Sequence, residues 1–108
     1  MINNQRDIQR VNVSIPIALI FGTQITLKGQ VKDLSLKSVF VMVKSSIHMA
    51  TNDELEFNIE NLPSNIEGSI RGSARISRVA LGEGIAIYFT KLDETSAKNL
   101  QNLITACA

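Results

Sequence analysis

The sequence has 108 residues, 44% of them hydrophobic and 19% charged, with a formal net charge of +1. That length suits one domain with a modest core, and the apolar share excludes general disorder. No apolar run nears the roughly 20 residues needed to cross a bilayer. The polar start MINNQRDIQR has no signal-peptide core. A cytoplasmic protein without membrane insertion is expected.

The charges are segregated. Met1 to Lys44 holds six Lys/Arg against two Asp, Ser45 to Ile70 holds five acids and no base, and Arg71 to Leu81 adds three arginines. An anionic ligand is drawn to the first and third blocks and repelled by the second. A broad DNA or RNA footprint needs a basic stripe and a high pI, so neither nucleic acid is expected as a partner. The single cysteine, Cys107, and single histidine, His48, exclude an internal disulfide and a zinc cluster.

In chain order, Met1 to Gln9 is polar and is expected to be a flexible arm. One domain then fills residues 10 to 108. Val11, Val13, Ile15, Ile17, Leu19 and Phe21 share one parity, as on one face of a strand. Pro16 cannot donate to a ladder, so this strand is at an edge or bulged there. After Gly22-Thr23, Ile25, Leu27, Gly29 and Val31 alternate with Thr26, Lys28, Gln30 and Lys32. A turn follows around Asp33 to Ser38. Val39 to Val43 reads as a buried strand.

Lys44 to Asn52 is loop-like. Leu55, Phe57 and Ile59 alternate with acids in a strand with one wet face. Gly68 to Val79 alternates again. Gly82-Glu83-Gly84 marks a hairpin turn, and Ile85, Ile87 and Phe89 close a sixth strand. Asp93 is a good N-cap. Ala97, Leu100, Leu103, Ile104 and Cys107 then recur at helical spacing, which predicts an amphipathic helix of about three turns. Six short strands and one terminal helix imply an all-β closed barrel or sandwich. No helix falls between strands, so a Rossmann or P-loop architecture is excluded.

No GxSxG, HExxH or paired His/carboxylate pattern is present, so no catalytic residue is assigned and no enzyme is expected. Arg6 and Arg10 form RxxxR just before the first strand. In extended chain they span up to about 13 Å. Two guanidiniums at that span can grip separate parts of one dianionic nucleotide, being planar, always charged and bidentate toward phosphate or guanine O6/N7. Asp33-Leu34-Ser35-Leu36-Lys37-Ser38 is, taken alone, most simply a turn, because Asp and Ser bond nearby backbone amides. Its carboxylate also suits the N1–H and N2–H donors of a guanine.

In combination, RxxxR, a strand, a turn, a second strand and then DxSxx resembles the PilZ domain family. Val39-Phe40-Val41-Met42-Val43 looks like that family's third strand. Arg75 to Arg78, a glycine turn and Gly84-Ile85-Ala86-Ile87-Tyr88-Phe89 look like its last hairpin. The resemblance covers about residues 5 to 104. It implies a six-stranded antiparallel PilZ-like β-barrel with a C-terminal α-helix that receives the bacterial second messenger cyclic di-GMP. By it, Arg6 and Arg10 wrap the ligand, Asp33 and Ser35 hold a guanine, and Arg78 stands beside it. No other cofactor and no metal are implied.

The family pattern ends in glycine where this chain has Ser38. Glycine permits positive φ and close approach, so Ser38, at the ligand's edge, opens an alternative. That alternative is a PilZ-like adaptor that binds a protein rather than a nucleotide, with the acidic stretch Asp53 to Glu60 toward a basic partner. For the receptor reading, the arm orders on binding and presents a new surface to an unidentified protein effector.

Overall fold

The computed structural model describes residues 9–23, 25–44, 49–63 and 65–107. His48 and Arg6 lie outside them. Six strands run β1 (Val11–Phe21), β2 (Ile25–Leu34), β3 (Ser38–Met42), β4 (Glu54–Ile59), β5 (Ile70–Ala80) and β6 (Gly84–Leu92), followed by helix α1 (Glu94–Cys107). They close into an antiparallel barrel in the order β1-β2-β3-β6-β5-β4. The expected barrel with a terminal helix is therefore present, and the helix, at 14 residues, is nearly a turn longer than its apolar spacing indicates.

Alternation explains the core. Ile15, Ile17 and Leu19 from β1, Val39 and Val41 from β3, Leu55, Phe57 and Ile59 from β4, and Ile85 and Ile87 from β6 all point inward and are buried. The β-branched majority suits pleated strands. Within Val39 to Val43, only the odd positions are buried. Phe40 is half-buried and Met42 exposed on the outer wall. The expectation of a wholly buried strand is thus corrected to an alternating one.

Pro16 is accommodated by both routes open to it. A register shift falls between Asn12 and Ile15, just before it. The β1–β4 ladder covers only Ala18 to Ile20, so Pro16 lies beyond it. At the β5–β6 hairpin, Gly82 takes φ +80°, a left-handed conformation that costs glycine little. Gly84 crosses β3 so closely that an added Cβ would run into the Val41 carbonyl.

Helix α1 packs on β5 and β1. Leu100, Leu103 and Ile104 supply its buried stripe. Asp93 caps it: Oδ1 accepts from the Ser96 amide at 2.7 Å. That bond and the Ser96 hydroxyl hold the Asp93 carboxyl below its usual range against the opposing effect of desolvation, with a smaller contribution from the positive charge of Arg71. Two buried polar side chains pin the helix to the barrel. Ser96 Oγ accepts from the Arg71 amide at 2.9 Å, and Asn99 Nδ2 donates to the Ser69 carbonyl at 2.9 Å. No helix among the described residues is long and apolar enough to cross a membrane.

Candidate functional site

The barrel interior is filled by apolar side chains, so a ligand site must lie on its outside. Register brings the sequence motifs together there. Val11 pairs with Leu34 and Asn12 with Asp33. Arg10, one residue before β1, is thereby laid against the turn that joins β2 to β3. Its Nε donates to Asp33 Oδ1 at 3.0 Å, and Nη2 donates to the same oxygen. Its Nη1 donates to Ser38 Oγ at 2.8 Å and reaches Ser35 Oγ at 3.4 Å. Arg10, Asp33, Ser35 and Ser38 thus form one cluster from three separate segments.

The four differ in what they have left to offer. Ser35 is fully buried. Its hydroxyl accepts from the amides of Lys37 and Ser38, both at 3.1 Å, while its own amide donates to the Ser38 carbonyl at 2.8 Å. Through these bonds Ser35 shapes the turn, and its hydroxyl also faces Arg10. The Arg10 and Asp33 side chains are 43% and 27% exposed. Both face solvent from the wall.

Ser38 is the first residue of β3 and pairs with Tyr88. Among described non-glycine residues only Asn52 and Asn65 have positive φ. Ser38 therefore sits in backbone that any residue adopts, and the serine imposes no strain. Its hydroxyl extends the reach of the turn to Arg10.

Arg78 joins the same wall by a less obvious route. Asp33 pairs with Phe40, Phe40 with Ala86, and Ala86 with Arg78, giving one row across β2, β3, β6 and β5. The Arg78 guanidinium lies 5.7 Å from the Phe40 ring centroid, a cation–π contact. Two bulges aim this row outward. Val31 and Ile76 are both buried, so strict alternation would send Asp33 and Arg78 inward as well. Register shifts between Val31 and Asp33, and between Ile76 and Arg78, turn both side chains to the outside.

Sequence reasoning missed two aromatic residues of this wall, Phe40 and Tyr88. Tyr88 is 38% exposed. The signal was available: both stand between inward apolar residues, Val39 and Val41 for one, Ile87 and the partly buried Phe89 for the other. The neighbouring wall is different in kind. On β4, Glu54 and Glu56 face solvent, and Glu54 forms an ion pair with Arg75 of β5. Among the described residues no three of His, Cys, Asp and Glu gather as metal donors.

An all-antiparallel six-stranded barrel with an arginine–aspartate–serine cluster on its outer wall defines a class of small β-barrel binding modules. The family model of the PilZ domain matches residues 4–106, and this chain belongs to that family. Solved structures agree on the fold. The PilZ domain of YcgR from Escherichia coli, solved with c-di-GMP, superposes with a TM-score of 0.75 at 13% identity, covering 95% of this chain and 91% of that one. The inhibitor of motility MotI/DgrA of Bacillus subtilis gives 0.74 at 14% identity, covering 95% of this chain and 49% of that one. The PilZ domain of CeSA from a cellulose-synthesizing bacterium gives 0.69 at 19%, covering 91% and 96%. No curated protein matches the sequence.

Proposed function

We propose that this domain is a receptor for cyclic di-GMP, which it holds on its outer wall between Arg10, Asp33, Ser38 and Arg78, with Arg6 closing over the ligand from the other side. The observation that carries the reading is the Arg10–Asp33 pair: an arginine fork and a carboxylate, side by side and part-exposed, are what the acceptor and donor edges of guanine require. Family membership and a c-di-GMP-bound structural relative support the choice of ligand.

Energetics favour exchange over obstruction. A part-exposed ion pair contributes about 1 kcal/mol or less, so the ligand displaces little when it inserts. Each charge-assisted bond it makes in return contributes roughly 1.5–3 kcal/mol. Ordering the arm costs about 1–2 kcal/mol per residue in backbone entropy, so binding depends on several such bonds at once. Ser35 acts indirectly, by holding the turn. The ordered arm is the signal, presented to a protein effector; no chemical step is involved.

The adaptor alternative rested on the replacement of glycine by Ser38. Because Ser38 needs no left-handed backbone, that replacement brings no backbone strain to the turn, and its hydroxyl joins the Arg10 cluster; the receptor reading is preferred. The test is a thermal-shift and calorimetric titration with cyclic di-GMP. At a hundredfold excess over Kd, a ligand selective for the folded state adds ~2.7 kcal/mol. For a domain of this size that raises Tm by on the order of 10 °C. Arg10→Ala should abolish both signals while leaving the unliganded melting temperature nearly unchanged. A wild-type protein whose Tm does not move would reject the receptor reading.

A further inference from the structure

The outer wall carries a feature that the motif residues leave unused. Two aromatic rings face outward on it, and their surroundings differ. Phe40 is half-buried and already covered by the Arg78 guanidinium. Tyr88 is 38% exposed, and no described ring or cation pairs with its face. Register places Tyr88 directly opposite Ser38 on β3 and opposite Arg75 on β5. Directly opposed residues of an antiparallel pair have Cβ atoms about 5 Å apart. Ser38 Oγ is in turn 2.8 Å from Arg10 Nη1. An open phenol ring therefore stands at the margin of the Arg10–Asp33 cluster, on the same face of the barrel.

Its flanks limit what it can receive. Arg75 on the far side is committed to Glu54 and to the Asn52 carbonyl, so it offers a nearly neutralised edge. Ser38 on the near side is taken by Arg10. The cations on its two flanks, Arg75 and Arg10, are already paired with carboxylates. A planar base would find a π-face between two polar borders, and base–aromatic stacking is tolerant of sequence and largely independent of charge.

Resting on the receptor reading, we infer that Tyr88 is a ligand-contacting residue, the surface on which one guanine of the bound nucleotide stacks. Asp33 and Arg10 then read the edge of a base, and Tyr88 supports a face. Specificity for a purine follows from the larger stacking area of a two-ring base.

The chain itself supplies the probe. Tyr88 is the only tyrosine and there is no tryptophan, so intrinsic tyrosine emission reports on this one ring. Titration of the full chain with cyclic di-GMP should quench that emission with the same Kd that calorimetry gives. Tyr88→Phe, which keeps the ring, should bind within about twofold of wild type. Tyr88→Ala should lose about tenfold in affinity. Tyr88→Leu, which keeps strand bulk, should lose a similar factor and decides the matter if the alanine variant melts early. Nucleotide binding with unchanged emission and wild-type affinity in Tyr88→Leu would overturn the assignment and leave the receptor reading intact. Absence of any calorimetric binding by wild type would overturn both.

Discussion

Two aspartates in this barrel sit in similar local sequence and do different things. Asp33 is followed by Ser35 at the β2–β3 turn; Asp93 is followed by Ser96 at the start of α1. At the helix, the carboxylate closes on its own chain: Oδ1 accepts the Ser96 amide, while the Ser96 hydroxyl oxygen accepts the Arg71 amide. At the turn, the serine alone closes the chain, taking the Lys37 and Ser38 amides. Asp33 is thereby released from turn-making. Its oxygen is held only by a guanidinium that is 43% exposed. An Asp-x-Ser whose serine saturates the backbone leaves a carboxylate free for recognition, and an Asp that saturates the backbone itself is spent on structure.

The sharpest way to break that contrast is Asp33→Ala. It removes no turn bond, so melting without ligand should move little. Cyclic di-GMP affinity should fall tenfold or more, from the roughly 1.5–3 kcal/mol of a charged hydrogen bond. A large loss of stability in this variant would mean that Asp33 is structural after all. Ser35→Ala should invert the pattern. It leaves two part-buried amides without their acceptor, at about 1–3 kcal/mol, and should lower Tm by roughly 5–10 °C. Affinity should weaken only as far as the turn loosens. Chemical denaturation beside calorimetry separates the two effects; equal stability to wild type would contradict the role given to Ser35.

Much of this was legible in the residues, for identifiable reasons. Strand number and the inward set of β1, β4 and β6 follow from apolar alternation, and the barrel follows from six such segments without an intervening helix. The cap at Asp93 follows from the helical period that starts after it. The outward aim of Asp33 and Arg78 was not legible from pattern. A bulge shifts parity by one and carries no compositional mark, so Val31 to Leu34 and Ile76 to Arg78 conceal a change of side. The convergence of Arg10 on Ser38 depends on the β1–β2 register, which a local reading does not contain. The acceptability of Ser38 depends on φ, which the family pattern with glycine predicts wrongly for this chain. Tyr88 was passed over because it looks like one more member of an apolar strand; its exposure is set by the parity of Ile87.

The smallest effect lies on the other side of the comparison, in Asp93→Asn. Asparagine caps helices about as well as aspartate, so stability at neutral pH should change only slightly, and ligand affinity not at all. The difference belongs to acid. Asp93 has a folded pKa depressed by the Ser96 amide, the Ser96 hydroxyl and Arg71. A depressed folded pKa means that its contribution is complete above the unfolded value, near pH 4, and is lost as pH falls through the folded value. Wild type should therefore lose stability from about pH 4 downward more steeply than Asp93→Asn, whose cap does not titrate. Melting curves taken at a series of pH values across that limb measure the difference. Superimposable acid limbs would mean that the carboxylate at the helix start is no more strongly held than one in the unfolded chain, and the distinction drawn between the two aspartates would lose its structural half.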